Sequence, residues 1–309
     1  MQYDIITNDQ HYPQVVNNTD ILRISTQYIE HIKHHKTVST VRTYSKKLKV
    51  FVEWLTAADI IGSMKDQLEQ YRSYIDERYT TAKSKNIMLS VVRSFYKWLF
   101  EEEIIDHNPT AALKNFTDNA GHSKAALDKY QLHDLFEFLR MDTKAAAPRN
   151  RAMIVLALQN GLRVNELANI KIEDFDTRDG DRIIWLLRKG YQDKSAYTIL
   201  TPETYTLLSD FIKGRTSGYL FNSSRGGGMS SDSISRIIKT TFRRVGIDSK
   251  HITAHSLRHS AAVEAYKQGA TVYEIMTMLN HKNISTTQIY INSLNRHENS
   301  AEKKVNFAF

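Results

Sequence analysis

The chain has 309 residues, 41% of them hydrophobic, with only 4 prolines and 12 glycines. That excludes a disordered chain and predicts a folded, mainly helical protein long enough for two domains. A formal net charge of +8 favours a polyanionic partner, and the absence of cysteine excludes disulfides, thiol catalysis and Cys-ligated zinc.

In chain order, residues 1–18 are polar without helical period and are expected to form an arm of unassigned role. Their start, MQYDIITNDQ, lacks the basic and apolar runs of a signal peptide. No stretch approaches the roughly 18 apolar residues that mark a membrane span. With no cysteine, a reducing cytoplasm is the expected compartment and no membrane partner is expected. Residues 19–114 carry a helical period throughout and predict a small helical domain of four or five helices. ILRISTQYIEHIKHHK aligns Ile21, Ile24, Tyr28, Ile29 and Ile32 along one face. TVSTVRTYSKKLKVFVEWL follows, with Ser39 as the expected N-cap and Val41, Tyr44, Leu48, Phe51, Val52 and Leu55 as its stripe. SKNIMLSVVRSFYKWLFEEEII predicts a further helix that stops before Asn108-Pro109.

NFTDNAGHSK, residues 115–124, is polar and aperiodic and predicts a linker. A second domain is expected over residues 125–295. Asp128 should cap the helix KYQLHDLFEFLR, and residues 149–169 read as one further helix ending near Ile170. DRIIWLLRKGYQDKSAYTIL predicts a hairpin, with strands 182–188 and 196–200 around a polar turn from Lys189 to Lys194. TPETYTLLSDFIKG, SISRIIKTTFRRVG, SLRHSAAVEAYKQG and TVYEIMTMLNH read as helices, and SSRGGGMSSDS as a loop. In the tail, residues 296–309, Val305, Phe307 and Phe309 alternate as in an extended interaction segment. The expected fold is therefore mainly α with a small β-sheet or hairpin, in two domains, one helical and one mixed α/β.

Cationic groups are concentrated where a fold alone would not need them. Helix N-termini are already positive, yet HSLRH places His255, Arg258 and His259 at one helix start, which points to an incoming anion. Taken singly, each cation has an ordinary reading. Arg163 can pair with Glu166 three residues on, and Lys189 can be a solvated turn residue. His281 can be a favourable cation at a helix C-terminus. His255 and His259 share a helix face as zinc ligands would, but no glutamate follows the first histidine and an arginine stands between them.

The ordered series is more specific than its members. GLRVNEL, a hairpin lysine, HSLRH, and LNHKNISTTQIY with histidine nine residues before tyrosine follow one another. This series resembles the tyrosine recombinase (phage integrase) family, with the length and layout of its Xer-type members. The likeness runs from about Asp20 to Ser293 and includes VVRSFYKWLFEEEIIDHNPTAAL, similar to the family's core-binding domain. The resemblance implies that Arg163 and Arg258 are the catalytic arginines and that Glu166 steadies the first. It implies that His255 and His281 are the catalytic histidines, with His259 supporting, Lys189 the hairpin lysine and Tyr290 the nucleophile. Two departures stand out: Arg188 replaces the glycine usual before the lysine, and Asn280 the glycine usual before His281. The hairpin is also slightly long, which leaves Lys194 as a rival to Lys189.

The implied activity is site-specific recombination of DNA through a 3′-phosphotyrosine, without metal or cofactor. It would serve integration or excision of a mobile element, or Xer-type resolution. The alternatives are type IB topoisomerase-like relaxation of one duplex and a catalytically silent DNA-binding regulator. Implied partners are double-stranded DNA with a specific target site built on inverted repeats, a homotetramer in the synaptic complex and an accessory DNA-bending protein. Lys33, Lys36, Lys46, Lys47, Lys49 and Arg93 are the expected phosphate contacts of the helical domain, and the tail is expected to pass to a neighbouring protomer.

Overall fold

The computed structural model describes residues 18–57, 63–117, 125–188, 193–224, 226–247, 251–281, 283–285 and 287–288. The chain divides into two compact units, the first ending at Gly121 and the second beginning at His122.

The first unit is built on α1 (Asn18–His35), α2 (Val38–Ala57), α3 (Met64–Arg78) and α4 (Ala82–Glu101), closed by a 3-10 turn over Pro109–Ala112. The α1 stripe buries Ile21, Ile24, Tyr28 and Ile32 as its spacing predicts, and α2 buries Leu48, Phe51 and Val52. α4 is the axis of this core. Met88, Leu89, Val91, Val92 and Phe95 are all fully buried, which needs apolar neighbours on more than one side. Ser39 is not the cap of α2, because the helix begins at Val38 and the Thr37 hydroxyl accepts the Thr40 N–H at 3.4 Å.

Polar side chains then fasten the end of the unit along α4. Asn86 exchanges two 2.8 Å hydrogen bonds with the Phe116 backbone. Arg93 donates to Asn115 Oδ1 at 2.8 Å and to the Leu113 carbonyl. Its guanidinium, expected to meet DNA phosphate, is committed to the chain that leaves α4.

The second unit contains α5 (Lys129–Met141), α6 (Ala147–Gln159), α7 (Val164–Asn169), α8 (Pro202–Ile212), α9 (Ser231–Arg244), α10 (Ala254–Lys267) and α11 (Val272–Leu279). Between α7 and α8 lies an antiparallel sheet ordered β1 (Phe175–Arg178), β2 (Asp181–Leu186), β3 (Ala196–Ile199). Phe175 pairs with Ile184 and Trp185 with Tyr197. The inward side chains Ile184 and Leu186 join the core of α6, where Ala152, Met153, Ile154 and Leu156 are fully buried. Asp128 caps α5 in a reciprocal box with Gln131. Just before it, the Leu127 N–H donates to Ser260 Oγ on α10 at 2.8 Å, tying the start of the unit to its centre.

Two expectations change here. The sheet has a third strand, β1, and the hairpin strands stop at Leu186 and Ile199. Residues 149–169 are not one helix. The chain leaves α6 at Asn160, turns through Gly161 at φ +60°, and restarts at Arg163 as the N-cap of α7. Glycine is required at this break. A Cβ there would lie 2.4 Å from Leu279 Cδ2, and Leu279 is fully buried.

Gly161→Ala should therefore lower unfolding stability by about 1–3 kcal/mol, from left-handed backbone strain plus overpacking. Urea denaturation followed by circular dichroism measures this. A midpoint equal to wild type would mean that the turn tolerates a side chain.

Candidate active site

The break after α6 is what places Arg163. Its backbone N–H donates to Glu166 Oε2 and its Nη1 to Glu166 Oε1, both at 2.8 Å. One carboxylate thus caps α7 through the Arg163 N–H and fixes the guanidinium, while the arginine, having no acceptor, cannot return a bond to the Glu166 N–H as serine or threonine would. Glu166 is 3% exposed while the Arg163 side chain is 32% exposed, so an anion arriving from solvent can reach the guanidinium but not its counter-ion.

Arg258 is held differently. It is 1% exposed on α10, with Nη1 donating to the Gly161 carbonyl at 2.6 Å and Nη2 to the Leu279 carbonyl. Those carbonyls sit at the C-terminal ends of α6 and α11, where the helix dipoles are negative. They offset the desolvation of the guanidinium without cancelling its charge. His255 stands exposed in the first turn of α10, three residues before Arg258, with its backbone N–H on Thr253 Oγ1 at 3.3 Å. His259 is buried on the same helix. The two thus differ in exposure, and no cluster of three metal-binding side chains occurs among the described residues.

His281 follows Asn280, which closes α11 in the left-handed conformation at φ 58°. Asparagine tolerates that region better than other residues with a side chain, so it fills the place of the family's glycine. The His281 N–H bonds the Met276 carbonyl at 3.0 Å, and its Nδ1 lies 2.8 Å from Thr287 Oγ1. Burial pushes the imidazole pKa down to about 4, helped by the charges of Arg258 and Arg163 and by the neighbouring His255. At neutral pH His281 is uncharged, not the helix-end cation of the simplest reading. That Arg258, Arg163 and His255 all act on it places the four groups in one electrostatic neighbourhood.

Lys194 is taken. Its Nζ pairs with the Asp174 carboxylate and donates to the Asn169 carbonyl at 3.3 Å. Asp174 is itself buried and accepts the Lys171 N–H at 2.6 Å. Lys189, Tyr290, the tail and residues 1–17 of the arm lie outside the described residues. On the first unit, Lys33 pairs with Glu30 at 2.5 Å and Lys49 with Glu53 at 3.6 Å. Lys36 and Lys47 lie over the rings of Tyr44 and Tyr79, and Lys46 is exposed. Surface pairs of this kind are weak and exchange readily for phosphate. Sequence reading missed Gly161, Asp174 and Thr287. Only Gly161 carried a signal, as a glycine within a helical pattern.

Residues 125–297 match the profile of the phage integrase family, and residues 26–103 that of the phage integrase N-terminal SAM-like domain. The chain belongs to the phage integrase family, the tyrosine recombinases. Among curated relatives, tyrosine recombinase XerC of Bacillus pumilus is 26% identical over 288 residues, covering 88% of this chain and 92% of the relative. Tyrosine recombinase XerD of Rickettsia bellii is likewise 26% identical, covering 88% of this chain and 94% of the relative. Two solved structures share the fold. One is XerH recombinase in a post-cleavage complex with palindromic difH substrate, at TM-score 0.70, 18% identity and coverage of 94% and 86%. The other is the Tn1549 transposon integrase with transposon right end DNA, at TM-score 0.71, 16% identity and coverage of 91% and 99%.

In this recombinase the neutral state of His281 makes a testable statement about acid. A histidine whose pKa is lowered on folding binds its proton better when unfolded. Stability is then full above about pH 6.5 and falls toward pH 4, by up to about 1.4 kcal/mol per pH unit. NMR titration of the imidazole should give a midpoint near pH 4. A midpoint at or above 6.5 would mean that the ring is solvated.

Proposed function

We propose that this recombinase cuts and rejoins DNA through a covalent 3′-phosphotyrosine at Tyr290. The observation that carries the proposal is the convergence of Arg163, Arg258, His255 and His281, with Arg258 buried and donating to the carbonyls of Gly161 and Leu279. A phosphodiester gains charge on its non-bridging oxygens during attack. Two permanently charged guanidiniums can fork onto those oxygens and supply the stabilisation that a metal ion gives elsewhere. Membership of the tyrosine recombinases and the DNA-bound neighbours support duplex DNA as the substrate.

In the proposed step the Tyr290 oxygen forms a bond to phosphorus while the bond from phosphorus to the 5′-oxygen breaks. The tyrosine proton, with an ordinary pKa of about 10, passes to His255, which is exposed. Neutral His281 donates a hydrogen bond to the phosphate. Lys189 protonates the departing 5′-oxygen, and the reverse reaction with a second 5′-hydroxyl joins the strands without ATP. Lys33, Lys36, Lys46, Lys47 and Lys49 contact phosphates outside the cleavage site, and Arg93 is left out because it fastens the end of its own unit. Exchange between two duplexes calls for four copies of the chain, linked by the tail beyond Tyr290, on sites built of inverted repeats with an accessory DNA-bending protein. The same chemistry serves a mobile element or Xer-type resolution.

Tyr290→Phe should abolish covalent attachment to a nicked suicide duplex while leaving DNA binding nearly intact. Wild type should form the adduct in excess EDTA, since the arginines carry the role of a metal. Denaturing gels read both arms. An adduct in the mutant would mean a different nucleophile, and an adduct lost to chelator would mean a metal-dependent reaction.

Lys189→Ala should slow cleavage by roughly 100-fold or more, and a 5′-bridging phosphorothiolate should restore most of the rate because sulfur leaves unprotonated. Lys194→Ala should show no such rescue, because its ammonium is engaged with Asp174. Rescue of Lys194→Ala instead would exchange the two roles.

A further inference from the structure

We propose that Thr287 is a positioning residue for His281, its hydroxyl donating to Nδ1 and so fixing the imidazole proton on Nε2. Thr287 is fully buried, and its Oγ1 lies 2.8 Å from the ring nitrogen. A buried hydroxyl in that place is a constraint on the ring, not a solvent contact.

A neutral imidazole carries one proton, and the partner at one nitrogen decides which atom holds it. His281 is neutral at physiological pH because burial, the charges of Arg258 and Arg163 and the neighbouring His255 hold its pKa near 4. It can therefore offer an anion a hydrogen bond from Nε2 only if Nδ1 is the unprotonated nitrogen. A hydroxyl can bond Nδ1 either way, as donor or as acceptor. The imine nitrogen is the better acceptor of the two partners and O–H the better donor, so the arrangement with Thr287 donating is favoured. The ring is then ready before the anion binds, with no proton to relocate.

Thr287 also stands three residues before Tyr290 in the chain. The hydrogen bond therefore ties the ring that greets the phosphate to the segment that carries the nucleophile. Local placement of His281 comes separately, from the left-handed turn at Asn280 and the bond of its N–H to Met276. Thr287 governs the tautomer and not the position of the backbone.

Nitrogen-15 imidazole spectra of the full chain at neutral pH, without DNA, test this directly. Wild type should show His281 protonated at Nε2, and Thr287→Ser should show the same. Thr287→Val, which keeps the shape but removes the hydroxyl, should show a mixture of tautomers. Finding the proton on Nδ1 in wild type would overturn the proposal, as would an unchanged Nε2 tautomer in a folded Thr287→Val. Where the valine variant does not fold, a proton on Nδ1 in the wild-type spectrum still overturns the proposal, and Thr287→Ala, expected to give the same mixture of tautomers, replaces valine in the comparison.

The effect on cleavage rests on the phosphotyrosine reading and is measured apart from the tautomer. Thr287→Val should cleave the suicide duplex roughly 10-fold more slowly, with Thr287→Ser within roughly 3-fold of wild type. Wild type that holds the Nε2 tautomer yet forms no adduct would remove the functional reading and leave the Thr287 assignment standing. A normal cleavage rate in Thr287→Val would remove its role in positioning.

Discussion

A guanidinium cannot be buried without acceptors, and the second unit is arranged so that Arg258 has them. Its Nη1 and Nη2 donate to the carbonyls of Gly161 and Leu279, at the ends of α6 and α11. Three helices are thereby brought to one point, since Arg258 belongs to α10. The turn at Gly161 must stay free of a side chain for Leu279 to approach. The same turn releases Arg163 as the start of α7, and the same end of α11 delivers His281. One buried charge thus sets where the other functional groups stand.

Bonding Arg258 to carbonyls has an electrostatic consequence. A buried Arg–Glu pair would be neutral as a unit, whereas carbonyl dipoles leave the full positive charge in place. That charge is felt by His281, whose pKa falls to about 4 under burial and neighbouring cations. Arg163 does have a carboxylate partner, but its side chain stays partly open to solvent. Arg163 and Arg258 thus bring two permanently charged groups to one place, and a phosphodiester is the kind of group that pairs with them.

Much of this architecture was legible in residue order because helical period is a local property. The α1 stripe of Ile21, Ile24, Tyr28 and Ile32 and the cap at Asp128 are complete within one or two turns of chain. The break at Gly161 was masked because Leu162, Val164 and Leu167 continue an apolar pattern across it, and its cause lies over one hundred residues away at Leu279. β1 has one apolar residue in FDTR and owes its existence to pairing with β2. The candidate residues Arg163, His255, Arg258 and His281 were found as a series of motifs. What spacing could not supply was their environment. Neither the neutrality of His281 nor the capture of Lys194 by Asp174 can be read from residue types, because both depend on burial and on partners distant in the chain.

Glu166 links folding and chemistry in a way that bears on how variants of this protein would be selected. Its two oxygens serve two masters, one the peptide N–H that starts α7 and the other the guanidinium of Arg163. A substitution at this position cannot loosen the arginine while sparing the helix, nor repair the helix with a serine-type cap while keeping the arginine in place. Screens for thermal robustness and screens for activity would therefore converge on the same residue here. Elsewhere in the unit they would be free to diverge.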